Sequence, residues 1–340
     1  KSILKLTDED YNKNGLSDLL ALEGSSYDLN INMFNHFQNT ITGWPGGKPG
    51  ADDSTRPERK SPNSKRVIIF SPHPDDDVVS MGGTFDRLVS QGHEVHIAYQ
   101  VKGNIAVSDH DALKFIEVSK DMFKNNSKVP VGQLIKELVN NKPDKIDSQA
   151  VRDLKGFIRK REAIAATRYI GIPDSNTHFM NLPFYDTGRI KKNPPTTKDV
   201  LITASLIKKI KPHQIFAAGD LEDPHGTHKV CLDVILDALD TLKGEKFIKD
   251  CWLWLYRGAW LDWDVHDIDM AVPMSPAQVL RKRKAIFFHQ TQKDGVMFQG
   301  QDLREFWVRA EERNSETAEK YKKMGLADYA AIESFKRHYY

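Results

Sequence analysis

The chain has 340 residues, with 49 lysines and arginines against 47 aspartates and glutamates, a net charge of +2. That balance argues against a nucleic-acid partner, which needs a concentrated basic excess. Composition (39% hydrophobic, 28% charged) is that of a soluble globular protein, and no apolar run approaches the ~18 residues of a membrane span.

Residues 1–42 carry short helical patterns, such as Leu16, Leu19, Leu20 and Leu22, then Met33, Phe34 and Phe37. Gly43-Trp44-Pro45-Gly46-Gly47-Lys48-Pro49-Gly50 and the polar run to Lys65 read as a linker, giving a helical and linker segment 1–65 before a larger domain 66–340. Arg66-Val67-Ile68-Ile69-Phe70-Ser71 has the continuous apolar character of a buried strand. A helix is expected over 82–91 and a strand over 94–100. Residues 110–171 read as mostly helical, with one long segment 148–170 stopped by Gly171 and Pro173. Strands are expected at 177–182, 214–218, 251–256 and 269–272, helices at 197–210 and 227–242, and a largely helical remainder over 275–336. Strands alternating with helices predict an α/β, Rossmann-like fold: a mostly parallel sheet with helices on both faces.

Open parallel sheets bind ligands beyond the carboxyl ends of their strands. Two such ends carry unusual residues: Ser71-Pro72-His73-Pro74-Asp75-Asp76-Asp77, and Asp220-Leu221-Glu222-Asp223-Pro224-His225-Gly226-Thr227-His228. Catalytic zinc takes three protein ligands, usually His and carboxylate, and keeps one position open. His73 and Asp76, three residues apart, can both point inward from a strand-to-helix turn, and His228 could supply the third ligand from the neighbouring strand end. Asp75 and His225 are then left to move protons, Asp75 taking one from water and His225 stabilising an oxyanion or protonating the leaving amine. Asp75 could instead only cap a helix starting near residue 80, and a lone HxxH is often ordinary polar surface. Both motifs at matching strand ends favour a metal site.

Pro72-His73-Pro74-Asp75-Asp76 followed by Met81-Gly82-Gly83-Thr84 resembles the signature of the LmbE-like, or PIG-L, de-N-acetylase family, over roughly residues 66–292. The resemblance implies a Rossmann-like fold and hydrolysis of the N-acetyl group of an N-acetylglucosamine derivative, possibly a phosphorylated one, usually with zinc. It implies His73, Asp76 and His228 as metal ligands, Asp75 as general base and His225 as oxyanion stabiliser. Arg159, in Arg159-Lys160-Arg161-Glu162-Ala163, matches the family arginine that reaches the substrate, and Asp186 its sugar-hydroxyl contact. His289-Gln290-Thr291-Gln292 resembles the end of a late family helix. Departures include Asp77 where the family often has Glu, Gly226-Thr227 between the two histidines, no tyrosine near Asp223, and a longer helical stretch near 105–150. The Gly43–Pro49 element also resembles Bacteroidetes fusion proteins in which a glucosamine-6-phosphate deaminase-like domain precedes an LmbE-like one. With Lys1 in place of an initiator methionine, this implies an upstream deaminase-like domain in a longer polypeptide. The competing function is a non-catalytic appendage that binds sugar or metal, a role that would not need Asp75.

Other residues read as structural. His93 and His96 suit a sheet, while His36, His110, His213, His266 and His338 suit a surface. Arg281-Lys282-Arg283-Lys284 reads as a solvated helix face, and Trp252, Trp254, Trp260 and Trp263 as core rather than a sugar platform. Cys231 and Cys251 lack CxxC spacing and, with no signal-peptide pattern, point to reduced thiols in the cytoplasm.

Overall fold

The computed structural model describes residues 1–48, 64–122, 131–141, 146–189, 191–222, 226–258, 260–293 and 304–340. Its strands are β1 Arg66–Ser71, β2 Glu94–Tyr99, β3 Thr177–Phe179, β4 Gln214–Ala218, β5 Trp252–Tyr256, β6 Met270–Met274 and β7 Ala331–His338. They form one sheet in the order β3-β2-β1-β4-β5-β7-β6, with β7 antiparallel to both neighbours and the other pairings parallel. The chain winds outward from β1 to β3, then returns to lay β4 on β1's other side. The topological switch point therefore lies between the carboxyl ends of β1 and β4.

The helices are α1 Asp8–Lys13, α2 Ser17–Glu23, α3 Ser26–Thr40, α4 Asp76–Ser90, α5 Asp109–Met122, α6 Val131–Val139, α7 Gln149–Ile170, α8 Thr197–Ile210, α9 Thr227–Thr241, α10 Pro276–Phe287, α11 Gln290–Lys293 and α12 Phe306–Lys323. Alternation along β1 explains how they divide. Val67 and Ile69 pack with Val78, Phe85 and Leu88 of α4, Ala163 and Ala166 of α7, and Ile286 of α10. Ile68 and Phe70 face the other way, onto Ile207 of α8 and Leu232 and Ile235 of α9. A strand covered on both faces needs apolar residues at every position, which is why β1 reads as an unbroken run. α5 and α6 pack on α7 through a separate cluster that includes Ile116, Leu134, Leu138 and Ile158. The N-terminal segment reaches the sheet edge, where Ile41 bridges Ala271 and the Thr42 N–H donates to the Ala271 carbonyl.

Several boundaries differ from expectation. The largely helical remainder ends in a strand, β7, inserted between β5 and β6. The strand expected over 177–182 stops at Phe179, and the chain turns through Asn181 at φ 49 into a short 3-10 turn at Pro183–Tyr185. The helix expected from Gly82 begins at Asp76, with non-helical angles at Met81. Gly82 thus opens the second of two helical stretches. Of the expected linker, residues 49–63 lie outside the described residues.

Lys282 corrects the reading of 281–284 as a solvated face. It is 2% exposed, and its ammonium donates to Glu333 Oε1 of β7 at 2.7 Å and Asn314 Oδ1 of α12 at 2.8 Å. Glu333 is fully buried. Removing one partner of a buried pair leaves the other charge uncompensated. Glu333→Ala is therefore expected to cost about 3–5 kcal/mol of stability, read as a lower urea midpoint at unchanged slope.

Candidate metal centre and active site

β1 ends in a turn that Asp76 closes on itself. Asp76 Oδ2 accepts from the His73 N–H at 2.8 Å and lies 3.1 Å from His73 Nδ1. The Ser71 hydroxyl donates to the His73 carbonyl at 2.5 Å and sits 3.1 Å from Asp77 Oδ1. Prolines 72 and 74 bracket His73 and restrict the backbone on either side of it.

His228 arrives from the first turn of α9, beyond the end of β4. Its Nδ1 is 2.7 Å from the Asp220 carbonyl, which can only accept, so Nδ1 carries a proton. Asp220 is itself held by the N–H groups of Trp260 and Leu261 at 2.5 and 3.1 Å. His228 Nε2 then faces Asp76 Oδ2 at 3.2 Å. A carboxylate oxygen and a second imidazole nitrogen at that distance require a proton or a cation between them. The ligand atoms of His73, Asp76 and His228 all lie within 4.8 Å of one another. Two imidazole nitrogens and one carboxylate oxygen, with a second ring nitrogen anchored on a carbonyl, are the donor set and support of a catalytic zinc site. The residues fit such an ion. Burial opposes a charge on Asp76, but His228 and His73 outweigh it and hold its carboxyl well below the usual range.

Asp75 is not a cap. It stands at the N-cap of α4 without a side-chain cap hydrogen bond, and its Oδ1 pairs instead with Arg159 Nη2 at 3.0 Å. Burial raises its pKa, partly offset by Arg159, while Asp76 pushes the same way as burial. Arg159 is 1% exposed, and its Nη2 also reaches the Pro74 carbonyl at 3.4 Å. Its Nε and Nη1 have no hydrogen-bond partner among the described residues, so two donors face the interior unused. Gly103, at φ +63, is what lets the chain pass this close: a Cβ there would sit 3.0 Å from Pro74 Cδ and 3.4 Å from Arg159 Nε.

Asp186 lies at the rim and is exposed, with Lys102 Nζ at 3.6 Å and Arg152 Nε at 3.8 Å. The preceding Tyr185 packs its ring edgewise on His73, centroids 6.3 Å apart, and Lys192 Nζ lies 3.8 Å from the Tyr185 centroid. Burial pushes Lys192 down to about 8. His225 falls at 223–225, outside the described residues. The fold thus gathers His73, Asp75, Asp76, Arg159 and His228 closely, with Asp186 one residue beyond the inner ring.

Three further residues pack around these groups without a role assigned to them from the sequence. His289 is 1% exposed with neither ring nitrogen bonded to a described residue, and burial, reinforced by Arg159, pushes it down to about 3. A buried imidazole without a hydrogen-bond partner calls for a reason, such as a water, an ion or a catalytic role. Glu162 accepts from the N–H and the hydroxyl of Thr291, both at 2.8 Å, tying α11 to α7 beside Arg159. Asp220 orients His228. His289 and Glu162 both lie in segments that resemble family helices, and Asp220 in the run after β4, but none had a role assigned from the sequence.

Elsewhere, His93 Nδ1 accepts from the Lys65 N–H, and His96 Nδ1 lies 3.1 Å from His178 Nε2, as sheet residues do. His213 is not plain surface: its Nδ1 accepts from the Arg66 N–H at 2.9 Å, seating the start of β1. Trp254 and Trp263 are buried, and both cysteines are buried and form no disulfide among the described residues. No helix among the described residues is long and apolar enough to cross a membrane.

A glucosamine-6-phosphate deaminase-like protein of Bacteroides thetaiotaomicron is 52% identical over 98% of this chain, which spans about half (52%) of that relative's length. The N,N'-diacetylchitobiose deacetylase of Pyrococcus horikoshii shares the fold at a TM-score of 0.51 and 17% identity, over 81% of this chain and 84% of its own. The 4-carboxy-2-hydroxymuconate hydratase of Pseudomonas putida is also similar, at TM-score 0.49 and 14% identity over 81% and 97%. Residues 68–239, half of the chain, match the family described as GlcNAc-PI de-N-acetylase, so the chain belongs to the PIG-L, or LmbE-like, family.

Proposed function

We propose that the chain hydrolyses the acetamide of an N-acetylglucosamine derivative, using zinc held by His73, Asp76 and His228. The observation that carries this reading is the pairing of that ligand set with Asp75, a buried carboxylate held 3.0 Å from Arg159. A divalent cation there would acidify water and polarise the amide carbonyl. Asp75 takes a proton from the attacking water as its oxygen bonds the carbonyl carbon. The same proton then passes to the nitrogen as the C–N bond breaks, so a free amine leaves with acetic acid, which gives its remaining acidic proton to solvent as acetate. Arg159 keeps Asp75 aimed while its remaining N–H groups are available to substrate oxygen, and Asp186 offers acceptors to sugar hydroxyls. His225, in its protonated form, is assigned to the oxyanion that develops on the carbonyl oxygen.

Lys102, Arg152 and Lys192 at the rim suit a phosphorylated sugar. The name and double length of the Bacteroides relative support a deaminase-like domain as the partner on a longer polypeptide. The test is acetate release from a panel of N-acetylated sugars, with and without phosphate, by zinc-loaded protein. Equimolar acetate and primary amine are expected from an N-acetylglucosamine derivative. A fully loaded protein that releases no acetate from any of them would overturn the reading.

A further inference from the structure

The break in α4 has a specific cause. Glu333 of β7 reaches into it: Oε1 accepts from the Gly83 N–H at 3.0 Å, and Oε2 from the Thr84 N–H and hydroxyl, each at 2.6 Å. Lys282 of α10 binds that carboxylate and also lies 3.4 Å from the Ser80 carbonyl. Side chains inserted into the i→i−4 ladder kink a helix, and here an ion pair does so, one partner taking N–H groups and the other a carbonyl. Met81 accordingly leaves helical geometry at φ −135, ψ 27. Gly83 also gives Met274 of β6 its room: a Cβ there would lie 2.2 Å from Met274 Sδ, with Glu333 Oε1 at an ordinary 3.4 Å.

The turn cut off by this insertion, 76–80, begins with Asp76, whose carboxylate meets His73 and His228, and follows directly on Asp75. Its direction is set at one end by the His73 turn and at the other by Glu333 and Lys282. We propose that Glu333, with Lys282 as its counter-charge, is a positioning residue for the His73–Asp76–His228 centre, acting through the backbone of residues 80–84. This rests on the reading that the centre holds a divalent cation. Both residues lie beyond the matched family segment 68–239, so the C-terminal part of the chain takes part in shaping a centre whose ligands all lie within that segment.

The test is zinc affinity by chelator competition on the purified chain, with kcat and KM as companions. Glu333→Gln keeps the shape and loses the charge. It should weaken zinc binding about tenfold, the lower end for supporting residues around a metal, and lower kcat with KM little changed. Because Glu333→Gln leaves Lys282 buried and unpaired, the double variant Lys282→Met/Glu333→Gln removes both charges and should regain stability while zinc binding stays weak. Ile207→Ala in α8, a fully buried residue away from the centre, should lower stability with zinc affinity unchanged. Folded Glu333 variants that bind zinc within twofold of the parent would overturn the positioning role. A parent chain that takes up no zinc would instead refute the metal reading, and this inference with it.

Discussion

Asp75→Asn is expected to lower kcat by about 10²–10⁴-fold, roughly 3–5 kcal/mol of barrier, while zinc content stays at the parent level. The substitution keeps an acceptor oxygen for Arg159 Nη2 at 3.0 Å and removes the basic oxygen that takes the proton. Loss of a charge-assisted bond in favour of a neutral one should cost no more than about 1–3 kcal/mol of stability. The rival role, helix capping, predicts the reverse: normal turnover and a loss of about 1 kcal/mol. That rival is already weak, since Asp75 makes no cap hydrogen bond. Turnover, zinc content and melting temperature measured on one sample separate the two, and near-normal kcat with full zinc would end the catalytic assignment.

His228→Ala should abolish zinc retention, with affinity falling by more than the 10–100-fold that loss of a supporting residue brings. It removes one of three ligands and leaves Asp76 Oδ2 without the ring nitrogen 3.2 Å away. Acetate release should fall with occupancy and return in part at high added zinc. His228→Ala protein that keeps full occupancy after dialysis against chelator would show that the ion is held elsewhere. Because the ligands must be free of protons, parent occupancy should also fall as pH falls.

What the sequence made legible follows how local each signal is. His73, Asp75 and Asp76 share one turn, so their grouping is visible in the spacing alone, and β1 announces itself because both of its faces are buried. Gly171, at φ 109, ends α7 where the helix-stop rule expects. The hidden features depend on partners far along the chain. Glu333 is a charged residue inside a strand, so β7 lacks a clean apolar pattern, and its partners Gly83 and Thr84 lie some 250 positions earlier. Lys282 sits in a basic run and looks solvated until Glu333 is placed beside it. Gly82 reads as a helix start because it does begin a helical stretch, the one after the break at Met81. The family likeness puts Arg159 forward as a substrate contact, while its pairing with Asp75 leaves no mark in the sequence.

β7 follows the other described strands in sequence yet is next to last in the sheet. Until β7 is in place, β5 and β6 have no partner on their facing sides, since each pairs with β7 and not with the other. Assembly must therefore wait for a segment whose neighbours were made long before, a slow closure of high contact order. During that wait β5 offers the open edge Trp252-Leu253-Trp254-Leu255-Tyr256, an apolar run without a charge or proline. Unpaired edges of that composition recruit strands from other chains. Removal of residues 331–340 would thus expose a site for self-association in the middle of the sheet, and protein lacking them should leave solution as aggregate, read by light scattering.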